Sequence, residues 1–547
     1  EVDNIVEKGD KFFKISCRDN GCGMLHDEIP NMFGRVLAGS KYGVKQARGK
    51  FGLGAKMALI WSKKSTGLPI EITSAHSTNK ADAPSKETFC RLDIDVHKNE
   101  PKIHIHEKRP NKSGWRGTQV DVIIGGAWSS YRARIMSYMQ MLAVITPYAR
   151  FKFRYVHDVK PKNSFAVEYE RRSNVICEPS KEVNYHPKSV DNLIMRQLIT
   201  RTRKGTKLST FLTKHLACIN KPMANSLVND LVKITKGKFD ADECCKDISD
   251  QDLQQLTQLL RETKFPSPRA DCLSPAGEYN LHLGILKEYS PQLVATACSK
   301  PGVYNGHPFI VETAIALGAP EAKPGITVYR FANRIPLLFE PGSDVVTIVA
   351  NKRIKWASYM INQKVDKIGV FVSIVSTKIP FKGTGKEYIG EHVEEIRKMV
   401  LNTMRQCASQ LKKKVAEKRS ANQAANRLKS LTKYIPNVSS ALMKVVEEMK
   451  DAEKESNKRR KLEEKEDEYM LSNAAALEEL REIERTLLGG NSVTEKVLVE
   501  HLETHVHNSD MAEALETAKK RGRGQASLAT FYLVPTKSDQ VKMAKPI

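Results

Sequence analysis

The chain has 547 residues, 40% of them hydrophobic and 28% charged, with 88 Lys and Arg against 63 Asp and Glu for a formal charge of +25. That length accommodates three or four domains, and no stretch approaches the twenty or so apolar residues of a membrane span. The charge favours a polyanion such as nucleic acid as partner, and the ten cysteines contain no CxxC pair, which argues against a thiolate metal site and fits a reduced compartment.

The chain starts at Glu1 without a methionine and reads as a piece of a longer gene product. Residues 11–17 alternate as a strand does, "DEIPNMFGRVLAG" (27–39) reads as a short helix, and 40–54 is a loop rich in Gly, Lys and Ser. "AKMALIWSKKS" (55–65) is a helix with one apolar face. Period-two strands follow at 68–75, 88–97, 101–108 and 117–124, then a helix over 129–146. This mixture predicts an α/β sandwich, one sheet covered on one face by helices. From 187 to 262 the pattern is helical with polar breaks, the mark of a small all-helical insert. Strands return at 324–340 and 367–381 and frame a second α/β domain. A long helix begins near Glu391, with Val393, Ile396, Val400, Met404, Cys407, Leu411 and Val415 at three- and four-residue steps and a basic exposed side. Beyond 440 the composition turns charged and poor in aromatics, so 440–520 reads as helices and linkers, partly disordered.

Three glycine-marked stretches come in order: "DNGCGM" (19–24), "GKFGLGAK" (49–56) and "GTQVDV" (117–122). Asp19 at a strand end can accept a hydrogen bond from an adenine amino group, and Gly21 and Gly23 let the backbone pass close to the base. Gly49, Gly52 and Gly54 lie immediately before a helix, whose free N–H groups can meet phosphates. Lys56 adds a cation, 40–48 would supply a lid, and Thr118 would close the far side of the base. No GK[ST] closes the loop, so it is not a Walker loop, and no acidic residue ends a second parallel strand, so it is not a dinucleotide fingerprint.

The set resembles the Bergerat-type ATP fold of gyrase, the heat-shock-90 chaperones, histidine kinases and mismatch-repair ATPases (the GHKL group). Within that group "NMFGRVLAGSKYGVKQARGKFGLGAKMALIWS", "CLSPAGEYNLHLGI", "GHPFIVETAIALGA", "RFANRIPLLFE" and "STKIPFKGTGKEYIGE" are similar to the B-subunit family of DNA topoisomerase VI, type IIB, in its eukaryotic, plant-type form. The resemblance covers about 11–440 and implies an α+β chain. Its parts are a Bergerat-type ATP-binding domain (1–186) lacking its N-terminal part, a helix-two-turns-helix insert (187–265), a transducer domain with a ribosomal-S5-like fold (266–390), a stalk helix region (391–440) and a charged C-terminal extension (441–547).

It also implies residue roles. Ser40 and Lys41 match lid-base nucleotide contacts, and Gly49, Lys50, Phe51, Gly52, Leu53, Gly54, Ala55 and Lys56 match the phosphate loop. Lys386 matches the transducer lysine that reaches the γ-phosphate, with Lys382 and Lys378 as rivals. Trp356 and Tyr359 are similar to a transducer motif that touches DNA, but Ala357 replaces its usual basic residue. The implied cofactors are ATP and Mg2+. The implied partners are a topoisomerase VI A subunit in an A2B2 heterotetramer, double-stranded DNA, and a second copy on ATP binding, in the nucleus and not at a membrane. The basic stalk and "RTRKGTK" (201–207) would steer DNA through phosphate contacts. The family's general-base glutamate and, one helical turn later, its magnesium-binding asparagine belong on a helix before the DxGxG loop. "EVDNIVEKGDKFF" cannot be that helix, because four residues after Glu1 comes Ile5. These 547 residues alone are therefore expected to hydrolyse ATP poorly in a turnover assay, and no metal ligand is read in them. The rival expectation is a non-hydrolysing meiotic or chromatin scaffold that dimerises on nucleotide.

One tail feature is independent of the family. "QASLATFY" (525–532) spaces Gln525, Leu528, Phe531 and Tyr532 as a sliding-clamp (PCNA) binding box does, with three side chains for one apolar pocket and Gln525 for a polar one.

Overall fold

The computed structural model describes residues 2–7, 10–36, 43–47, 53–79, 83–157, 161–235, 244–382, 387–460 and 495–506. Its first compact body runs to Val415. The opening strands are β1 (Val2–Glu7) and β2 (Asp10–Arg18), so the first residues form a strand and not the Glu/Asn-bearing helix. After a 3-10 turn come α1 (Ile29–Gly34) and α2 (Leu53–Thr66), then β3 (Ile70–Ala75), β4 (Lys86–Asp95), β5 (Glu100–Pro110) and β6 (Gly117–Gly125). Helix α3 (Trp128–Ile145) leads to β7 (Phe151–His157) and β8 (Phe165–Tyr169). The eight strands form one sheet in the order β5-β4-β3-β6-β2-β1-β7-β8.

Helices cover one face of that sheet, as the alternation predicts. Leu59 of α2 and Ile29 and Phe33 of α1 are buried on Ile70, Ile72, Leu92, Ile94 and Val122. Further along the same face Trp128, Ile135 and Met139 of α3 meet Phe13, Phe153 and Tyr155. The Trp128 ring stacks on Tyr155 at 4.2 Å between centroids.

Helices α4 (Asn192–Arg201), α5 (Leu208–His215), α6 (Lys221–Ile234) and α7 (Asp250–Glu262) share a core of their own around Phe211, Leu212, Leu231 and Leu256. Three of the four start at a side-chain cap: Asp191 on the Ile194 amide, Asn220 on Met223 and Ser249 on Asp252. These caps are the polar breaks seen in the sequence.

Helix α8 (Glu278–Tyr289) precedes β9 (Leu293–Cys298), β10 (Gly302–Tyr304), β11 (His307–Leu317), β12 (Gly325–Ala332) and β13 (Ile335–Leu337). The short α9 (Val345–Ile348) is followed by β14 (Lys367–Ser376), the two-residue strands β15 (Phe381–Lys382) and β16 (Tyr388–Ile389), and α10 (Glu394–Arg460). The sheet order is β10-β11-β14-β12-β13, with β9 also on β11. Alternate residues of β11 serve two cores. Phe309, Val311 and Ile315 face α9 and α10, while Ala314 and Ala316 face α8 and the end of α3. The predicted stripe Val393, Ile396, Val400, Met404, Cys407, Leu411 and Val415 is buried on the first of these. Gly284 of α8 lies against the Val144 carbonyl of α3, leaving no room for a Cβ. Trp356 belongs to the same core as the stripe: it is 1% exposed and its indole donates to the Ala350 carbonyl at 2.8 Å, so this ring braces the interior and is closed to DNA.

Helix α10 runs past the compositional boundary near 440 to Arg460 and contains Pro436. In the second body, from Ala416 on, Ile435 and Ser439 are buried, and the Ser439 hydroxyl donates to the Glu495 carbonyl at 3.4 Å, at the start of a helix over 495–506. Among the described residues no helix is long and apolar enough to cross a membrane.

Candidate nucleotide site

The site starts where β2 ends. Asp19 follows Arg18, the last residue of that strand, and its backbone N–H donates to the Thr118 carbonyl at 2.9 Å. Its carboxylate Oδ1 accepts from two backbone amides, Gly21 at 2.8 Å and Thr118 at 3.2 Å. Oδ2 accepts from no described residue, so one carboxylate oxygen is held and the other is presented from an exposed position. That is the arrangement an amino group on a flat heterocycle needs: a fixed, charged acceptor.

The glycines explain how the loop closes. Gly23 has φ +72 and lies against the Ala75 carbonyl at the end of β3; Gly117 has φ +139 and lies against the Asp19 carbonyl. Both positions combine a left-handed backbone with a contact too close for a Cβ, so each requires glycine. Ser74 of β3 ties the start of β6 to the loop after β2. Its hydroxyl is 3.2 Å from the Thr118 hydroxyl and from the Gly117 carbonyl, and it accepts from the Met24 amide at 2.8 Å. Thr118 and Asp19 are thus in direct contact, with Ser74 beside them as a member the motif did not name. The Trp115 indole donates to the Asp19 carbonyl at 3.1 Å, and Arg18 lies over the same ring at 4.2 Å.

Leu53 opens α2, and Gly54 and Ala55 are exposed in its first turn, which holds no acidic residue to compete for the helix's positive end. A Cβ on Gly54 would meet open space. Lys56, expected to add a cation at the phosphates, is 1% exposed, and burial pushes its ammonium below the ordinary lysine value. Ser40, Lys41, Gly49, Lys50, Phe51, Gly52 and Lys386 lie outside the described residues, as do Gln525, Leu528, Phe531 and Tyr532. The strands that carry both ends of the Lys386 loop are described: Phe381 pairs with Ile389 and Lys382 with Tyr388. Among the described residues no three His, Cys, Asp or Glu side chains gather as a metal site.

Four buried polar residues were missed in the sequence. Gln46 and Asn333 join the stretch before α2 to the second sheet. Glu312, wholly buried in β11, accepts from the Ala276 amide at 3.0 Å and the Gly277 amide at 2.6 Å at the start of α8. Burial pushes its carboxyl up, and those two amides pull the other way. Asp344 caps α9 through the Val346 amide (2.9 Å) and holds the Ile389 amide of β16 at 3.1 Å. The only sequence signal for any of these is a carboxylate or amide within an otherwise apolar run, as at "FIVETAIAL".

The fold defines a two-sheet α+β chain with a helical insert between its sheets, the second sheet being of the transducer class. The family model described as the topoisomerase VI B subunit, transducer, matches residues 268–427. The B subunit of DNA topoisomerase 6 from Arabidopsis thaliana is 47% identical over 538 residues, 98% of this chain and 76% of that protein. The protein of the same name from Oryza sativa subsp. indica is also 47% identical, over 95% of this chain and 71% of its own. The B subunit of a type 2 DNA topoisomerase 6 from Saccharolobus islandicus is 35% identical across 80% of each chain. The chain belongs to the DNA topoisomerase VI B-subunit family. Its likeness to a solved N-terminal domain of a DNA repair protein is loose, with a TM-score of 0.31 at 8% identity over 74% of this chain and 86% of that one.

Proposed function

We propose that this chain is the ATP-binding, force-transmitting subunit of a type IIB topoisomerase. Asp19, Thr118 and the start of α2 would take ATP. Nucleotide would draw two copies together, and Lys386 would report the γ-phosphate to the second sheet. The long helix would pass that movement to an A subunit that cuts DNA, so that one duplex crosses a transient break in another within an A2B2 assembly in the nucleus. The observation that carries this reading is the half-engaged Asp19 carboxylate, one oxygen held by two amides and the other open. Exposed Arg203 and Lys204, between α4 and α5, suit phosphate contacts. Residues 2–7 form a strand, so the general base and the magnesium-binding asparagine do not come from that stretch. ATP supplies the binding energy for closure, and the residues described here orient its base and receive its phosphates.

The test is ATP-dependent decatenation of linked DNA circles by the full-length gene product with its A-subunit partner, with Lys386→Ala alongside. Decatenation is expected in the unsubstituted complex, with a loss of at least about 100-fold in the variant, the scale of removing a charge that acts on the reacting phosphate. A folded, ATP-binding complex with no decatenation would turn the reading to a nucleotide-closed scaffold. We also propose that residues 525–532 dock on a sliding clamp. Phe531→Ala with Tyr532→Ala should abolish clamp capture in a pull-down, and unchanged capture would discard that contact.

A further inference from the structure

Five residues, Gly43–Ala47, lie in the chain just before "GKFGLGAK", and their contacts with described residues reach well beyond α2 and the strands beside it. Gly43 lies against the Glu182 carboxylate. The Val44 carbonyl accepts from the Val183 amide at 3.0 Å. Gln46, 6% exposed, pairs reciprocally with one distant residue: Nε2 donates to the Ser274 carbonyl at 3.0 Å and Oε1 accepts from the Ser274 amide at 2.6 Å. A carboxamide used this way imitates a strand partner and satisfies both backbone groups of Ser274. The Gln46 carbonyl accepts from the Ser180 hydroxyl at 2.9 Å. The Ala47 carbonyl accepts from Asn333 Nδ2 at 3.0 Å.

Both partners beyond the first sheet are firmly held. Ser274 is followed by the loop whose Ala276 and Gly277 amides the Glu312 carboxylate grips. Asn333 occupies a left-handed backbone position (φ 49) in the turn between β12 and β13, and its Oδ1 accepts from the Ser376 amide at 2.9 Å, at the end of β14. The Ser376 hydroxyl in turn accepts from the Lys378 amide at 3.1 Å, three residues before β15. A continuous set of hydrogen bonds thus joins the approach to α2 to the approach to the β15–β16 hairpin.

We infer that Gln46 and Asn333 are positioning residues that couple the nucleotide site to the second sheet. Gln46 fixes the chain before α2 on Ser274. Asn333 links that chain to the end of β14, so that a shift at one end is felt at the other without waiting for Lys386. The inference rests on the reading of the Asp19 site as an ATP site.

The test is hydrogen–deuterium exchange of the full chain with its A-subunit partner, with and without the non-hydrolysable analogue adenylyl imidodiphosphate. Two variants are compared. Gln46→Leu removes both Ser274 bonds. Asn333→Asp keeps the acceptor for Ser376 and suits a left-handed backbone, but replaces the donor to Ala47 by a carboxylate oxygen facing that carbonyl, so the bond becomes a repulsion. In the unsubstituted protein the analogue should slow exchange at 19–24 and 117–124 and also at 374–382 and 387–390. In both variants the first pair should keep its response within about threefold, while the response of the second pair falls about tenfold. A purely structural role would raise exchange with and without nucleotide and leave the difference between the two states in place. An undiminished response at 374–390 in Asn333→Asp would overturn the inference, as would its absence in the unsubstituted protein. No response at 19–24 in the unsubstituted protein would overturn the ATP reading, and this inference with it.

Discussion

Asp344→Ala is expected to lower the unfolding free energy by about 3–5 kcal/mol, the usual cost of removing one partner of a buried ion pair. Asp344 Oδ2 lies 3.5 Å from Arg330 Nη1, with both side chains at most 3% exposed. The same carboxylate accepts from the Val346 and Ile389 amides. Arg330 is committed elsewhere as well, donating through Nη2 to the carbonyls of Leu337 at 3.1 Å and Phe339 at 2.8 Å. Removing Asp344 would leave a cation buried alone and two amides without acceptors. Burial pushes the Asp344 carboxyl above its ordinary value and the Arg330 guanidinium below its own, each countered by the other's charge. With the folded carboxyl raised, its stabilising contribution is complete below the unfolded carboxylate pKa and is lost as pH rises through the folded value. Urea unfolding across that range measures both effects. Asp344→Asn should remove this residue's share of the slope. A shift under about 1 kcal/mol in Asp344→Ala would show that the surrounding amides alone hold the site. Because Ile389 is one of the residues released, the hairpin that carries Lys386 should loosen with it.

Asp19→Asn should weaken ATP binding on the order of 100-fold, from the loss of a charged acceptor and an amino group facing an amino group. Asparagine can still accept from Gly21 and Thr118 through its carbonyl, so the loop keeps its shape. The free position then donates where it used to accept. GTP, which carries a carbonyl at the corresponding position of its base, should lose little. The ratio of the two dissociation constants by competition is therefore the measurement. An ATP constant within threefold of the unsubstituted protein would mean that this carboxylate does not read the base.

The parts legible in the sequence were those whose partners are announced by steric need or by period. Gly23 was legible as a position of close backbone approach, read toward a base, and the structure sets it against the Ala75 carbonyl; the same need at Gly117 was not read. The stripe from Val393 to Val415 is legible because one helix face writes its burial at fixed steps. Strand β11 was not read. Its two faces serve two cores, so it is a nearly unbroken apolar run that lacks alternation and does not separate from a buried helix by period alone. The continuation of α10 to Arg460 was hidden by composition: its last turns are charged on all sides, and Pro436 suggests a stop. The Gln46 and Asn333 contacts were hidden for a different reason. Their partners lie 228 and 286 positions away, and a lone amide side chain carries no mark of what it will meet.

Strand β1 is not an edge. It pairs antiparallel with β2 on one side, and on the other its Val2, Asp3 and Asn4 run parallel to Tyr155, Val156 and His157. Its first partner arrives at once through a tight hairpin, while its second is made only after α3. At ordinary synthesis rates that leaves β1 with one side open for roughly 10–30 s on the ribosome. An open strand edge is a template for any extended chain nearby. Until α3 and β7 have been made, β1 is therefore a place where a growing chain can mispair.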